Sequence, residues 1–129
     1  RTKEAKICFR VGTWDRLGEL MAASHASLKD DFQVSCEEVD FMVDLAQKYE
    51  GVYGSRMTGG GFGGCTVSLV QKQAVDGFVE HLKLEYKEKY QKDIQTFVSE
   101  PGVGARVLAI DMDCKGESDF YKDQKKPKD

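Results

Sequence analysis

Apolar residues recur at three-and-four spacing through the first half of the chain and give way near its middle to short consecutive apolar runs. Residues 1–9 read as the end of a helix. After a Thr13 cap, Trp14, Leu17, Leu20, Met21, Ser24 and Leu28 fall on one helical face, and Asp30 and Asp31 suit the loop that ends it. Ser35 and Glu38 have the spacing of a capping box, placed ahead of an apolar stripe of Val39, Met42, Val43 and Ala46. Gly51 is the natural stop for that helix.

From Val52 the period changes. Residues 52–57 and 65–70 read as strands around a glycine-rich loop at 59–64, and Val75, Phe78, Val79, Leu82 and Tyr86 then mark a third amphipathic helix whose Lys- and Glu-rich face is solvated. Residues 94–98 and 105–110 read as two more strands, joined through Glu100-Pro101-Gly102-Val103-Gly104, where Pro cannot donate to a ladder and Gly permits a reversal. Beyond Asp111 the chain is dense in Lys, Asp and Glu and carries too little apolar surface to order itself. The expected organisation is one domain over 1–115 with a polar tail over 116–129. The fold class is α+β, with helices packed on one face of a mainly antiparallel sheet.

Length and charge narrow the function. A chain of 129 residues can bury about two thirds of its unfolded surface in a single core. With 19 basic and 22 acidic residues interspersed, it offers no basic field for a nucleic-acid backbone. Its longest apolar runs fall well short of the ~20 residues a membrane helix needs, and no charged-then-apolar leader opens it. Cys8, Cys36, Cys65 and Cys114 form no C-x-x-C pair and have no His at metal-ligand spacing, so free thiols in a reducing, cytoplasmic setting are expected. Neither nucleic acid nor membrane is an expected partner.

The chemistry concentrates in Gly54-Ser55-Arg56-Met57-Thr58-Gly59-Gly60-Gly61-Phe62-Gly63-Gly64-Cys65-Thr66-Val67. Five glycines among the six residues from Gly59 to Gly64 let the backbone take positive φ angles and approach something bulky. Such turns aim backbone N–H groups into one concavity, which suits phosphate oxygens. A flexible hairpin loop or a close backbone packing contact would explain the glycines equally well. Gly59-x-Gly61-x-x-Gly64 is too weak for a dinucleotide fingerprint, and the Gly-Lys-Ser/Thr ending of a P-loop is missing. Phe62 is expected to anchor the loop through its apolar side chain.

The run from Gly51 to Val67 resembles the third conserved motif of galactokinases, members of the GHMP kinase superfamily. Upstream, Ser24-His25-x-Ser27-Leu28-x-Asp30 followed by Val34-Ser35-Cys36-x-Glu38-x-Asp40 resembles the helix-loop-helix that precedes that motif. The resemblance is close over 17–70; beyond it, agreement is mainly in layout and in Gly104-Ala105-x-Val107-Leu108. Glu37 stands where the family usually has Pro, and Lys29 where Arg is common. N-acetylgalactosamine kinases are also similar, but typically read Leu-Thr-Gly-Ala-Gly-Trp where this chain has Met57-Thr58-Gly59-Gly60-Gly61-Phe62.

The resemblance implies a C-terminal portion of an enzyme that transfers the γ-phosphoryl group of ATP, accompanied by Mg2+, to the anomeric hydroxyl of galactose. The family's sugar-binding motif, main phosphate loop and catalytic Asp and Arg lie in an N-terminal half with no counterpart here. No catalytic residue or metal ligand is therefore assigned, and the chain alone is expected to be inactive. Gly59, Gly60, Gly61, Phe62, Gly63 and Gly64 are the implied cofactor-binding residues, packing beside the main phosphate loop of the missing domain. Non-catalytic galactose- and ATP-binding sensors keep the same motif and are the alternative. Replacing Gly61 or Gly63 by Val is expected to harm nucleotide use more than folding. Elsewhere, His25 and His81 read as surface or capping histidines, Cys65 as a small buried strand residue, and Arg56 as paired with an acidic neighbour or touching phosphate.

Overall fold

Gly12 ends the first helix. In the computed structural model, which describes residues 1–102, 104 and 105, helix α1 (Thr2–Val11) closes on Gly12 at φ 74°, whose N–H donates to Cys8 O (2.9 Å). Helix α2 (Trp14–Ala26) follows at once, capped in position by Thr13, although the Thr13 side chain makes no capping hydrogen bond. Cys8, Leu17 and Leu20 bury the seam between the two helices, with Ala5 packed against it, and Arg16 ties α2 to Glu4 of α1 at 2.7 Å.

The end of α2 departs from the sequence expectation. Residues Ser27–Asp31 continue the helix as a π-type turn in place of a loop, with Phe32 N–H donating five residues back to Ser27 O (3.0 Å) and Ser27 Oγ donating to Asp31 Oδ2 (2.9 Å). Gln33 at φ 55° then reverses the chain. Helix α3 (Glu37–Lys48) starts from Cys36, and the expected box between Ser35 and Glu38 does not form. Ser35 Oγ is turned instead toward Asp40 and donates to its Oδ1 (2.6 Å), a charge-assisted hydrogen bond to an ionised carboxylate.

The α3 stripe is buried as its periodicity predicts, with Val39, Val43 and Ala46 inside and Met42 packed beside them. Gly51, at φ 90°, carries the chain into strand β1 (Val52–Thr58), which pairs antiparallel with β2 (Cys65–Val70) from Val52↔Val70 to Thr58↔Cys65. A bulge interrupts the register between Val52 and Gly54. Leu69 reaches the α1–α2 cluster. Val70 and Val52 reach the cluster of Ala46, Phe78 and Leu82, the last two from α4 (Val75–Tyr90), as alternation along a pleated strand requires. A 3-10 turn at Lys72–Ala74 joins β2 to α4. Burial of side chains such as Val43, Phe78 and Leu82 is worth roughly 1.5–3 kcal/mol each.

Residues 94–98 do not form the expected strand. Ile94 packs into the α3–α4 cluster, but Phe97 is 89% exposed, so the apolar side chains there are not used to cover a sheet. The paired strand expected at 105–110, the tail at 116–129 and Cys114 lie outside the described residues. Residues 1–98 form one compact unit; a second begins at Ser99, of which 99–102, 104 and 105 carry no helix or strand. The α+β class and antiparallel pairing are as expected.

What fixes α2 on β1 is a pair of glycines. A methyl group on Gly18 would sit inside the Tyr53 carbonyl, and one on Gly54 would lie 2.5 Å from Gly18 Cα. Backbone thus meets backbone, and no side chain fits between. Gly18→Ala is expected to force the helix off the strand and to cost at least about 3 kcal/mol, more than a helix-favouring Ala returns. Urea unfolding checks this, and an unchanged midpoint would overturn it.

Candidate functional site

Residues Gly59 to Gly64 form the turn that joins β1 to β2, beyond the last pair Thr58↔Cys65. Gly59, Gly61 and Gly63 have φ of 84°, 84° and 102°, and Phe62 itself sits at φ 56°. The sequence thus places glycines at three of the four positions where the turn needs the left-handed region. All six residues come together as one turn. Gly59, Gly60, Gly63 and Gly64 are exposed, and a Cβ at Gly59, Gly60 or Gly63 would meet nothing within 4 Å.

Two features of the turn differ from expectation. The Phe62 side chain is 76% exposed and anchors nothing; the residue is held by its backbone, whose N–H donates to Val34 O (2.8 Å). Gly61 lies against the same carbonyl. A Cβ there would overlap Val34 O and lie 2.9 Å from Val34 Cβ, so a close backbone contact explains this glycine, while Gly60 stands in open space.

Other residues singled out from the sequence also move. Among the described residues Arg56 meets no carboxylate and does not reach the turn: its Nε donates to Met57 O (3.0 Å) and its guanidinium to Ser24 Oγ (3.1 Å). Cys65 is exposed where a buried strand residue is expected, because among the described residues no helix lies over the hairpin end it occupies. Cys8, Cys36 and Cys65 are free thiols. His81 is half-buried on α4, stacked near Tyr49 with ring centres 5.2 Å apart.

His25 is the main residue that sequence reasoning misplaced. It is only 6% exposed, and its Nδ1 accepts from Met57 N–H (3.2 Å), two residues before the turn. Its Nε2 lies 3.2 Å from Asp40 Oδ1 but outside hydrogen-bonding geometry, and makes no hydrogen bond among the described residues. A signal existed: His25 stands seven residues, two turns, beyond Gly18 on the helix face that meets β1. Asp40 also accepts from Ser35 Oγ and pairs with Lys29 Nζ (3.0 Å). Burial alone would raise its pKa, but Ser35, Lys29 and His25 together outweigh that and hold it below the usual carboxylate value. Lys29, Ser35 and Asp40 line an open groove of about 520 Å³ with Gln33, Glu37 and Lys89.

Among the described residues no group of three His, Cys, Asp or Glu could hold a metal ion, and no helix is long and apolar enough to cross a membrane.

This frame of two helices clamped on a hairpin with a glycine turn can be set beside known proteins. The profile described as GHMP kinases C terminal matches residues 5–88. The chain belongs to the GHMP kinase C-terminal family. Within it, the galactokinase of Bacillus subtilis (strain 168) is 47% identical over 100 residues, covering 78% of this chain and 26% of that protein. The galactokinase of Homo sapiens is 44% identical over 110 residues, covering 85% and 27%. The crystal structure of Lactococcus lactis galactokinase complexed with galactose aligns with TM-score 0.67 and 44% identity over 71% of this chain and 24% of that one. The chain spans about a quarter of the length of these relatives. In this GHMP kinase C-terminal domain the hairpin, its turn and the helices behind them all fall within the matched residues.

The geometry separates the glycines by role. Gly60→Ala is expected to leave stability within about 0.5 kcal/mol, whereas Gly61→Ala, with strain and overlap combined, costs about 3 kcal/mol or more. Denaturant midpoints of the two variants check the order, and equal midpoints would contradict it. The Gly61→Val substitution therefore tests folding, whereas a substitution at Gly60 leaves folding largely aside.

Asp40 gives a second prediction. A carboxylate whose folded pKa lies below its unfolded value of about 3.9 stabilises the fold above that pH and loses the contribution as pH falls through the lower folded value. Asp40→Asn is accordingly expected to flatten the acid-side decline of stability. Unfolding free energies measured between about pH 5 and 2 would show this, and a parallel decline in both proteins would refute it.

Proposed function

We propose that this chain acts as the C-terminal part of a galactokinase, and that the turn from Gly59 to Gly64 completes the nucleotide phosphate site from the second domain. The observation that carries the reading is the turn itself: a largely exposed run of glycine backbone with three glycines in left-handed positions, and open space where side chains would stand at Gly59, Gly60 and Gly63. Such a surface lets phosphate oxygens approach amide N–H groups directly. Its membership of the family and its likeness to galactokinases supply the chemical context.

The residues fit a phosphate only in part. Gly59, Gly60 and Gly63 present open backbone, but the turn holds no Lys or Arg, Arg56 is committed to Ser24 and Met57 O, and the Phe62 N–H is taken by Val34. The charge of a triphosphate must therefore be balanced elsewhere, by the part of the protein that this chain does not include. ATP supplies the phosphoryl group when bound, with galactose as acceptor. The glycine turn contributes shape and neutral donors that favour one phosphate position over others, which is how protein groups chiefly assist a loose phosphoryl-transfer transition state. Magnesium is expected to accompany the nucleotide. The described residues do not fit it, since no three potential ligands converge, and no step is assigned to it in this chain.

Galactose-dependent release of ADP by the full-length protein, run beside the 129-residue chain alone, tests the proposal. Release is expected from the full-length protein only. Turnover by the short chain would overturn the supporting role, and binding of galactose and ATP by the full-length protein without any ADP release would replace the kinase with a sensor.

A further inference from the structure

The turn hangs from one segment at two places. Residues 34–40 hold its middle through Val34 O, which accepts from Phe62 N–H. The same segment faces its entry through Asp40, which stands 3.2 Å from the His25 ring that accepts the Met57 N–H. Thr58 alone separates Met57 from the first glycine of the turn. Ser35, next to Val34, donates to Asp40, so the two attachments are joined by a 2.6 Å hydrogen bond. Lys29 closes the set from the π-type turn at 3.0 Å.

We propose that His25 and Asp40 are a positioning pair that fixes the glycine turn for nucleotide phosphate, a role that rests on the phosphate reading given above. Five glycines leave the turn with more backbone freedom to lose than any other six-residue stretch of this chain. Its placement must come from outside. Because Nδ1 accepts from a backbone N–H, the neutral ring carries its proton on Nε2, toward Asp40. The Met57 N–H thus fixes the tautomer, the Asp40 carboxylate beside Nε2 favours the ring orientation that faces a proton toward it, and the ring sets where β1 ends. A histidine that merely filled space would need neither the acceptor nor the carboxylate beside it.

The test is made in the full-length protein with His25→Leu, which removes the acceptor, and His25→Asn, whose amide oxygen can take the place of Nδ1. His25→Leu is expected to raise the KM for ATP about tenfold, the usual scale for leaving a buried donor unpaired, with the KM for galactose unchanged. His25→Asn is expected to recover most of that loss. Amide exchange of peptides covering 58–64 in the unliganded protein is expected to quicken in His25→Leu and return toward normal in His25→Asn. Unchanged ATP KM and exchange in His25→Leu would overturn the proposal, as would an His25→Asn variant no better than His25→Leu. If His25→Leu fails to fold, Asp40→Asn carries the test, with the same selective rise in ATP KM expected and equal effects on both substrates overturning it. The exchange readout does not depend on turnover. Quickened exchange in a protein that phosphorylates no sugar would uphold the positioning role and sink the kinase reading alone.

Discussion

The contact between Gly18 and Gly54 is the constraint from which the rest of the unit follows. Neither position has room for a single methyl group, so α2 lies against β1 at backbone distance. That separation lets a side chain two turns further along the helix reach a strand amide: His25 is seven residues past Gly18, Met57 three past Gly54, and the two meet at 3.2 Å. With a bulkier residue at either glycine the imidazole would stand too far from the strand to accept, and Met57 N–H would be buried without a partner. Ser24, one residue earlier, meets Arg56 in the same way.

The glycine turn depends on a second close approach of the same kind. Gly61 passes against Val34 O, and its neighbour Phe62 donates to that oxygen. Val34 is delivered there by the π-type turn and the reversal at Gln33, with Val34 N–H itself donating to Leu28 O at 3.1 Å. Irregular backbone therefore does the positioning. A regular helical end at residue 28 would place residue 34 differently, and the turn would lose its one backbone tether among the hydrogen bonds described.

How much of this could be read from the sequence follows the same physics. Helix faces were legible because burial repeats every three or four residues: Leu17 and Leu20, Val39, Val43 and Ala46, Phe78 and Leu82 are all inside. The glycine turn was legible because positive φ leaves a compositional mark. Interactions that depend on a third dimension were not. Ser35 and Glu38 have capping-box spacing, yet Asp40, five residues on, takes the Ser35 proton. Phe62 and Cys65 look like core residues by type, but no element among the described residues covers the hairpin end where they stand. Residues 94–98 carry strand-type residues, and of their apolar side chains Ile94 is the one packed into a cluster among the described residues. His25 reads as a surface histidine because the Met57 N–H it accepts lies thirty-two residues away on a strand.

The division of labour inside the unit also bears on what it can do. The turn is neutral, while the nearby cations are engaged: Lys29 with Asp40, Arg56 with Ser24 and a carbonyl. A site built this way discriminates by shape, since neutral amide donors reward an oxygen at one position and contribute little long-range attraction. If the turn takes phosphate as proposed, attraction and charge balance come from groups outside the matched residues, which cover about a quarter of the related kinases. Rigid placement matters more for such a turn than for a charged one, because a misplaced neutral donor loses nearly all of its interaction whereas a displaced cation keeps much of its own. On the proposed phosphate reading, that would be the physical reason for a buried histidine, a nearby carboxylate and two glycine contacts to stand behind six residues of almost bare backbone.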